Sequence, residues 1–109
     1  MRDYQEARDS FSIAALESRI LQGSLTDGLN ACVECCDRWA ADGRVALEWM
    51  GVGGERESVT FRQLQESSAQ FANLLAKRGI GPGDVVAGLV PRVPELLIVV
   101  LGTWRVGAV

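Results

Sequence analysis

The chain has 109 residues, of which 48% are hydrophobic, and its formal net charge is −3. This length fits one compact domain, and the apolar fraction is typical of a globular protein and not of a disordered one. The eleven basic residues are scattered, so the sequence lacks the basic stripe that nucleic-acid phosphates require. The longest uncharged apolar run, between Glu95 and Arg105, is too short to cross a bilayer, and the charged N-terminus is unlike a signal peptide. These features favour a cytoplasmic protein with no nucleic-acid or membrane partner.

The first part of the chain has the pattern of short helices. Apolar residues within residues 4–21 recur at helical spacing, which predicts one helix, or two short ones separated at Ser10-Phe11-Ser12. Loop-forming residues occupy positions 23–28. We therefore assign residues 1–28 to an N-terminal helical segment.

A further helix, predicted at about residues 29–41, carries three cysteines. Its apolar residues recur at three- and four-residue steps until Asp42-Gly43 ends the pattern. Cys32, Cys35 and Cys36 share one face of this helix. Zinc would require a fourth ligand, and the chain has no His and no second cysteine pair. The favoured interpretation is that the cysteines are reduced, partly buried apolar residues, and metal or redox use is the alternative.

A β-hairpin is predicted after this helix. Residues 44–49 and 57–60 have the composition of two strands, and the glycine-rich residues 51–54 form the turn between them. A glycine cluster also suggests a phosphate-binding loop. Acidic residues follow this one, however, and no Gly-Lys-Ser/Thr ending is present, so a hairpin turn is the favoured interpretation.

The strongest helix signal follows the hairpin. Thr60 and Gln63 have the spacing of a capping box, and Gly79 is placed to end the helix. Between them lies an apolar stripe that we expect to face the core. The stripe consists of Phe61, Leu64, Ser68, Phe71, Ala72 and Leu75.

A tight turn and a short apolar strand come next. Residues 81–84 predict the turn, and residues 85–89 predict the strand. The turn glycines lie between a helix end and a strand start, whereas phosphate loops follow a strand. With a helix before and after it, this strand indicates one unit of a parallel α/β sheet.

The apolar run at residues 96–101 suits either a buried strand or a buried helix. Pro94 before it, and Glu95 and Arg105 at its two ends, favour a helix. Because the run is apolar all round, we expect this helix to be covered on every side. Ala108-Val109 is expected to begin another strand, so we interpret the chain as an incomplete domain with an unfinished sheet.

Several short stretches, in their order and spacing, resemble the AMP-forming acyl-CoA synthetases, and among them the acetyl-CoA synthetase-like members. The resemblance extends from about Asn30 to Val109. It is carried by Asn30 with Asp37-Arg38-Trp39, Val45-Ala46-Leu47-Glu48-Trp49, Thr60-Phe61 with Leu64, Ala72-Asn73 with Leu75, Gly79-Ile80 with Gly83-Asp84-Val85-Val86, Pro91 with Pro94-Glu95-Leu96, and Arg105-Val106-Gly107-Ala108-Val109. The chain departs from the pattern at Trp39, where many acetyl-CoA synthetases have His, and this departure loosens the assignment to acetate.

The resemblance implies an α/β fold in which residues 29–109 form the N-terminal part of a layered, adenylate-forming AMP-binding domain. It implies an acid–thiol ligase that joins a carboxylate to ATP and then passes the acyl group to coenzyme A, with Mg²⁺ on the phosphates. The family's phosphate loop and catalytic lysine lie outside the stretch that this chain resembles, and the only lysine here is Lys77. We therefore expect no catalytic, cofactor-binding or metal-binding residue in this chain, and we expect the isolated chain to be inactive.

Two residues have a functional alternative. Arg92 follows the predicted strand, where α/β proteins bind ligands, but an exposed loop arginine is the favoured interpretation. Trp104 could line a pocket, but a core tryptophan beside Gly102 and Gly107 is favoured.

The sequence leaves three hypotheses for function. The first is an inactive segment of an acyl-CoA synthetase, whose partner is the remainder of the synthetase domain. The second is a stand-alone interaction module that docks on a partner through its open sheet edge, or else a gene remnant without catalysis. The third, a small nucleotide-binding α/β protein, would need a glycine fingerprint after a strand, which the sequence lacks. In isolation we expect a marginally stable chain that is loosely folded or self-associates through residues 96–109.

Overall fold

The computed structural model describes residues 3–109, which form a layer of helices packed beside one β-hairpin. The helices are α1 (Tyr4–Asp9), α2 (Ile13–Ile20), α3 (Ala31–Cys35), a 3₁₀ helix (Asp37–Asp42), α4 (Phe61–Lys77) and α5 (Glu95–Arg105). The hairpin consists of β1 (Val45–Met50) and β2 (Arg56–Thr60). Helix α4 is central, because it packs against α5, the 3₁₀ helix and both strands. None of the helices within residues 3–109 combines the length and the hydropathy that a bilayer crossing requires.

Two short helices, α1 and α2, form the N-terminal segment, so the alternative with a break at Ser10-Phe11-Ser12 is confirmed. Helix α2 starts at this point because the Ser12 hydroxyl accepts a hydrogen bond of 3.3 Å from the Ala15 backbone N–H. The segment leaves most of its apolar side chains exposed, among them Phe11 and Ile13.

Glu34 of α3 holds this N-terminal segment in place. Its carboxylate accepts hydrogen bonds from the backbone N–H groups of Gln22 (3.0 Å) and Gly23 (2.7 Å), and it pairs with Arg38 at 2.9 Å. The Arg38 guanidinium also donates to the Ile20 carbonyl. These bonds hold the pKa of Glu34 below its ordinary value, and the bond from the Gly23 N–H has the largest effect. The segment is therefore tied to α3 most firmly while Glu34 is charged.

The single helix predicted at residues 29–41 is interrupted in the structure. Helix α3 ends at Cys35, the backbone leaves the α-helical region at Cys36 (φ −130°, ψ −62°), and the 3₁₀ helix follows. In this arrangement Asp37 forms an ion pair with Arg105 of α5. A tertiary contact therefore accompanies the break and outweighs the local helical preference.

The predicted hairpin and the long helix after it are confirmed. Strands β1 and β2 pair antiparallel, and residues 51–54 form the turn between them. Helix α4 begins with the expected capping box, in which the Thr60 hydroxyl accepts from the Gln63 N–H and the Gln63 side chain accepts from the Thr60 N–H. The helix is followed by Gly79, whose φ of 80° is the left-handed conformation that closes helices.

The core lies between α3, α4, α5 and the hairpin. Its buried hydrophobic cluster comprises Cys32, Cys36, Val59, Leu64 and Leu101. Helix α4 buries four of the six residues of its predicted stripe, which are Leu64, Ser68, Ala72 and Leu75. Because so few side chains are fully buried, the chain gains limited hydrophobic stabilisation from its own contacts.

The strand predicted at residues 85–89 is not formed, because this stretch, which we call the extended segment, belongs to no strand and no sheet within residues 3–109. This extended segment pairs with the last residue of the chain. The Val86 N–H donates to the Val109 carbonyl (2.8 Å), and the Val109 N–H donates to the Asp84 carbonyl (3.0 Å). Val109 thus bonds to Asp84 and Val86, the two residues that flank Val85. This hydrogen-bond pattern is that of parallel strands. The expectation that Ala108-Val109 begins a strand agrees with this pairing.

The close packing of α4 on α5 predicts the effect of Gly102→Ala. A Cβ atom at residue 102 would lie 2.7 Å from Phe71 Cδ1 and 2.9 Å from the Ser68 carbonyl oxygen. Since that carbonyl belongs to the α4 backbone, we expect overpacking to destabilise the variant by about 2 kcal/mol. The measurement is the urea concentration that removes half of the helical circular dichroism signal. Gly81→Ala is the control, because a Cβ there meets nothing within 4 Å, and equal midpoints for the two variants would contradict the prediction.

Candidate functional site

Helix α5 is covered on one side by α3 and α4 and is open on the other. Gly102 is buried against α4 on the covered side, and Leu101 is buried at the border between the two sides, where it also lines a groove with Leu97 and Trp104. On the opposite side Leu97 and Trp104 remain 37% and 38% exposed. The expectation that α5 is covered on every side is therefore wrong for residues 3–109.

We define the open face of α5 as Leu96, Leu97, Val100 and Trp104. Two apolar grooves flank Trp104 on this face. The larger groove, of about 330 Å³, is lined by Cys35, Cys36, Ala46, Phe61, Leu64, Leu97, Val100, Leu101 and Trp104. The smaller groove, of about 140 Å³, is lined by Val86, Gly88, Leu96, Val99, Val100, Thr103, Trp104 and Val109. The prediction that Trp104 is a core residue is wrong, because its side chain lines both grooves.

The extended segment lies beside the smaller groove and presents an unpaired backbone edge. Val86 and Gly88 line that groove, whereas Val85 and Leu89 are strongly exposed. The backbone N–H and C=O of Val85 have no hydrogen-bond partner within residues 3–109. Extended backbone with free N–H and C=O groups is a pairing surface. The open face and this edge therefore form one continuous uncovered region.

Polar side chains gather on the covered side of α5. Arg105 and Asp37 form a bidentate ion pair with bonds of 2.6 and 2.8 Å, and Arg105 also donates to the Ser68 hydroxyl at 3.1 Å. Hydrogen bonding to Asp37 raises the pKa of Arg105 above its ordinary value. Arg105 pairs with Asp37 and Ser68 through its two terminal nitrogens, whereas its Nε is buried without a hydrogen-bond partner among the described residues. Because the guanidinium is already engaged by a carboxylate, the cluster has the character of a structural contact and not of an anion site.

Two further residues singled out in the sequence lie outside the open face. Arg92 has an exposed side chain, as predicted, and its carbonyl accepts a hydrogen bond of 2.7 Å from Trp49 Nε1. Trp39 lies 4.9 Å from the guanidinium groups of both Arg38 and Arg44. Neither Arg92 nor Trp39 lines a groove beside α5.

The expected absence of catalytic, cofactor-binding and metal-binding residues stays a prediction. Both glycine clusters form turns, at residues 51–54 and 81–84. Lys77 is in the last turn of α4. In the part of the chain that the structure describes, no three His, Cys, Asp or Glu side chains come together where they could hold a metal ion.

The three cysteines differ in their exposure. Cys32 and Cys36 are buried, whereas Cys35 is exposed and lines the larger groove. The interpretation of all three as partly buried is therefore corrected for Cys35. Burial raises the pKa of the Cys36 thiol to about 11 and also raises the pKa of Cys32.

This difference predicts one fast-reacting thiol among the three. At about pH 8 we expect Cys35 to react with an aromatic disulfide reagent well before Cys32 and Cys36, whose thiols are buried and protonated. The absorbance of the released thiolate measures the number of thiols in each phase. Cys35→Ser should remove the fast phase and leave the slow one. Reaction of all three thiols in a single phase would contradict the structure of the larger groove.

Comparisons with known proteins agree with this fold. Residues 35–109 match the family model of the AMP-binding enzymes. The acetyl-coenzyme A synthetases of Sodalis glossinidius and Serratia proteamaculans are 39% and 40% identical to this chain over 84 residues, which is 74% of this chain and 13% of each relative. The crystal structure of a Brucella canis acyl-CoA synthetase matches the whole chain with a TM-score of 0.93 and 44% identity, over 20% of that protein. The chain therefore belongs to the AMP-binding enzyme family, and the resemblance to its acyl-CoA synthetases is confirmed.

Proposed function

We propose that this chain is a supporting segment of an ATP-dependent, AMP-forming acyl-CoA ligase that acts on an acetate-like carboxylate. In that reaction the carboxylate attacks the α-phosphorus of ATP and releases pyrophosphate. The thiol of coenzyme A then displaces AMP from the acyl-adenylate to give a thioester. The segment supplies no catalytic, cofactor-binding or metal-binding side chain, and the remainder of the synthetase domain binds ATP, Mg²⁺ and coenzyme A.

The observation that carries this proposal is the uncovered region beside α5. It combines an apolar helix face, two apolar grooves and a backbone edge with unpaired groups. Covering such a surface is favourable, since it removes apolar area from water and satisfies the free N–H and C=O groups. The remainder of a synthetase domain could cover this region, because the match accounts for only 20% of the Brucella protein and leaves a large part of that protein to pack against it.

The distribution of positive charge supports a role outside the chemistry. Adenylation develops negative charge on phosphate oxygens, and enzymes stabilise that charge with cations placed around it. The open face carries no cation, Arg105 is paired with Asp37, and Lys77 is exposed at the end of α4. The open face and Arg105 are therefore poorly placed to stabilise a phosphoryl group.

An activity assay tests the proposal. Incubated with ATP, Mg²⁺ and acetate, the purified chain is expected to release no pyrophosphate above the rate without protein. A full-length acetyl-coenzyme A synthetase, such as that of Serratia proteamaculans, serves as the positive control. Pyrophosphate release that tracks the purified 109-residue chain through chromatography would contradict the proposal.

The second candidate is an interaction module that docks on another protein, and the unpaired edge at Val85 is the observation that favours it. The oligomeric state of the isolated chain separates the two functions. A supporting segment without its domain should self-associate through the open face, because nothing else covers those apolar side chains. A module built to work alone should be monomeric and should unfold in one cooperative urea transition.

A further inference from the structure

The covered side of α5 carries a polar cluster that the proposed function leaves unused. Arg105, in the last turn of α5, forms its two bonds with Asp37 across 68 residues of sequence. The side chains of Arg105 and Asp37 are only 23% and 17% exposed. A third bond joins Arg105 to Ser68 of α4, which is fully buried. A planar guanidinium held by a carboxylate at two points is fixed in both position and orientation. Arg105 therefore ties the end of α5 to the 3₁₀ helix and to α4.

Asn30 joins the same end of α5 to α3. Its Oδ1 accepts a bond of 2.9 Å from the Cys32 N–H and so caps the start of α3. Its Nδ2 donates to the carbonyls of Trp104 (3.0 Å) and Arg105 (3.2 Å), which belong to the last turn of α5. One side chain thus serves the N-terminal end of one helix and the C-terminal end of another.

These contacts lie directly before the point where the chain turns back. Gly107 adopts a φ of 77°, and the Ala108 N–H bonds back to the Thr103 carbonyl at 3.2 Å. The following residue, Val109, makes the parallel pairing with residues 84–86. The position at which α5 ends therefore determines where Val109 meets the extended segment.

We propose that Asn30, Asp37 and Ser68 are positioning residues that form, with Arg105, a polar clamp. The polar clamp sets the register of the parallel pairing between Val109 and residues 84–86. This inference rests on the proposed function, in which the extended segment is the edge that the remainder of the domain joins. Ligand sites in parallel α/β domains lie beyond the C-terminal ends of the strands, so this register decides how those ends align.

Asn30→Asp separates positioning from ordinary helix capping. Aspartate is as good an N-cap for α3 as asparagine, so the first role of residue 30 is kept. The aspartate has no N–H to donate to the α5 carbonyls, and its negative charge would face the negative end of that helix. If residue 30 only caps α3, the substitution should leave the pairing at Val109 unchanged. If it belongs to the polar clamp, the pairing at Val109 is lost.

Hydrogen exchange followed by mass spectrometry measures this pairing. We expect Asn30→Asp and Asp37→Asn to raise exchange in the peptides that contain Val86 and Val109 by about tenfold, while the β1–β2 hairpin is unchanged. Asp42→Ala is the matched control at the end of the same 3₁₀ helix. It removes an ion pair with Arg44 whose side chains are 62% and 51% exposed, and it should change neither peptide.

Arg105→Lys provides a second route if the Asp37 variant does not fold. It keeps the positive charge but loses the two-point geometry, so it should show the same local increase in exchange. The inference is overturned if Asn30→Asp has no effect, or if the hairpin exchanges faster to the same extent as residues 84–86 and 109. It is also overturned if those residues exchange freely in the unsubstituted chain. The experiment needs no turnover, so pyrophosphate release by the chain would refute the proposed function without changing this result.

Discussion

The close packing of α5 on α4 is the contact on which the rest of the structure depends. Gly102 permits it, because a side chain there would collide with Phe71 and with the Ser68 carbonyl. This approach brings Arg105 within hydrogen-bond distance of Ser68 and Asp37. These bonds join the end of α5 to the 3₁₀ helix and to α4. A missing side chain at one position thus organises contacts between distant parts of the sequence.

Helix α5 is apolar all round, but only one of its two sides packs against α4. The other half forms the open face, which lies beside the unpaired edge of the extended segment. Arg105, Asp37 and Ser68 lie on the covered side and belong to the proposed polar clamp. In the proposed function, the segment contributes a packing surface and a strand-pairing edge, and other parts of the domain contribute the reacting groups.

Elements with local signals could be predicted from the sequence, and contacts between distant residues could not. The capping box at Thr60 and Gln63 and the terminating Gly79 predicted α4 with its correct limits, because each signal spans only a few residues. The break after α3 was missed because it is coupled to a bond between residues 68 positions apart. The exposure of Trp104 is not predictable from the sequence, because an apolar helix does not reveal which of its sides lacks a partner. The strand predicted at residues 85–89 is not formed within residues 3–109, since a strand needs neighbours to become part of a sheet and this stretch pairs only with Val109.

The central claim is that these residues are a supporting segment of a larger adenylate-forming domain. The most direct test is the intact mass of the native gene product that contains them. We expect one polypeptide several times heavier than 11.8 kDa, since the match covers only 13% of the length of the related synthetases. A native product of 11.8 kDa that is monomeric and unfolds cooperatively would contradict the account, because its open face would then need no partner to cover it.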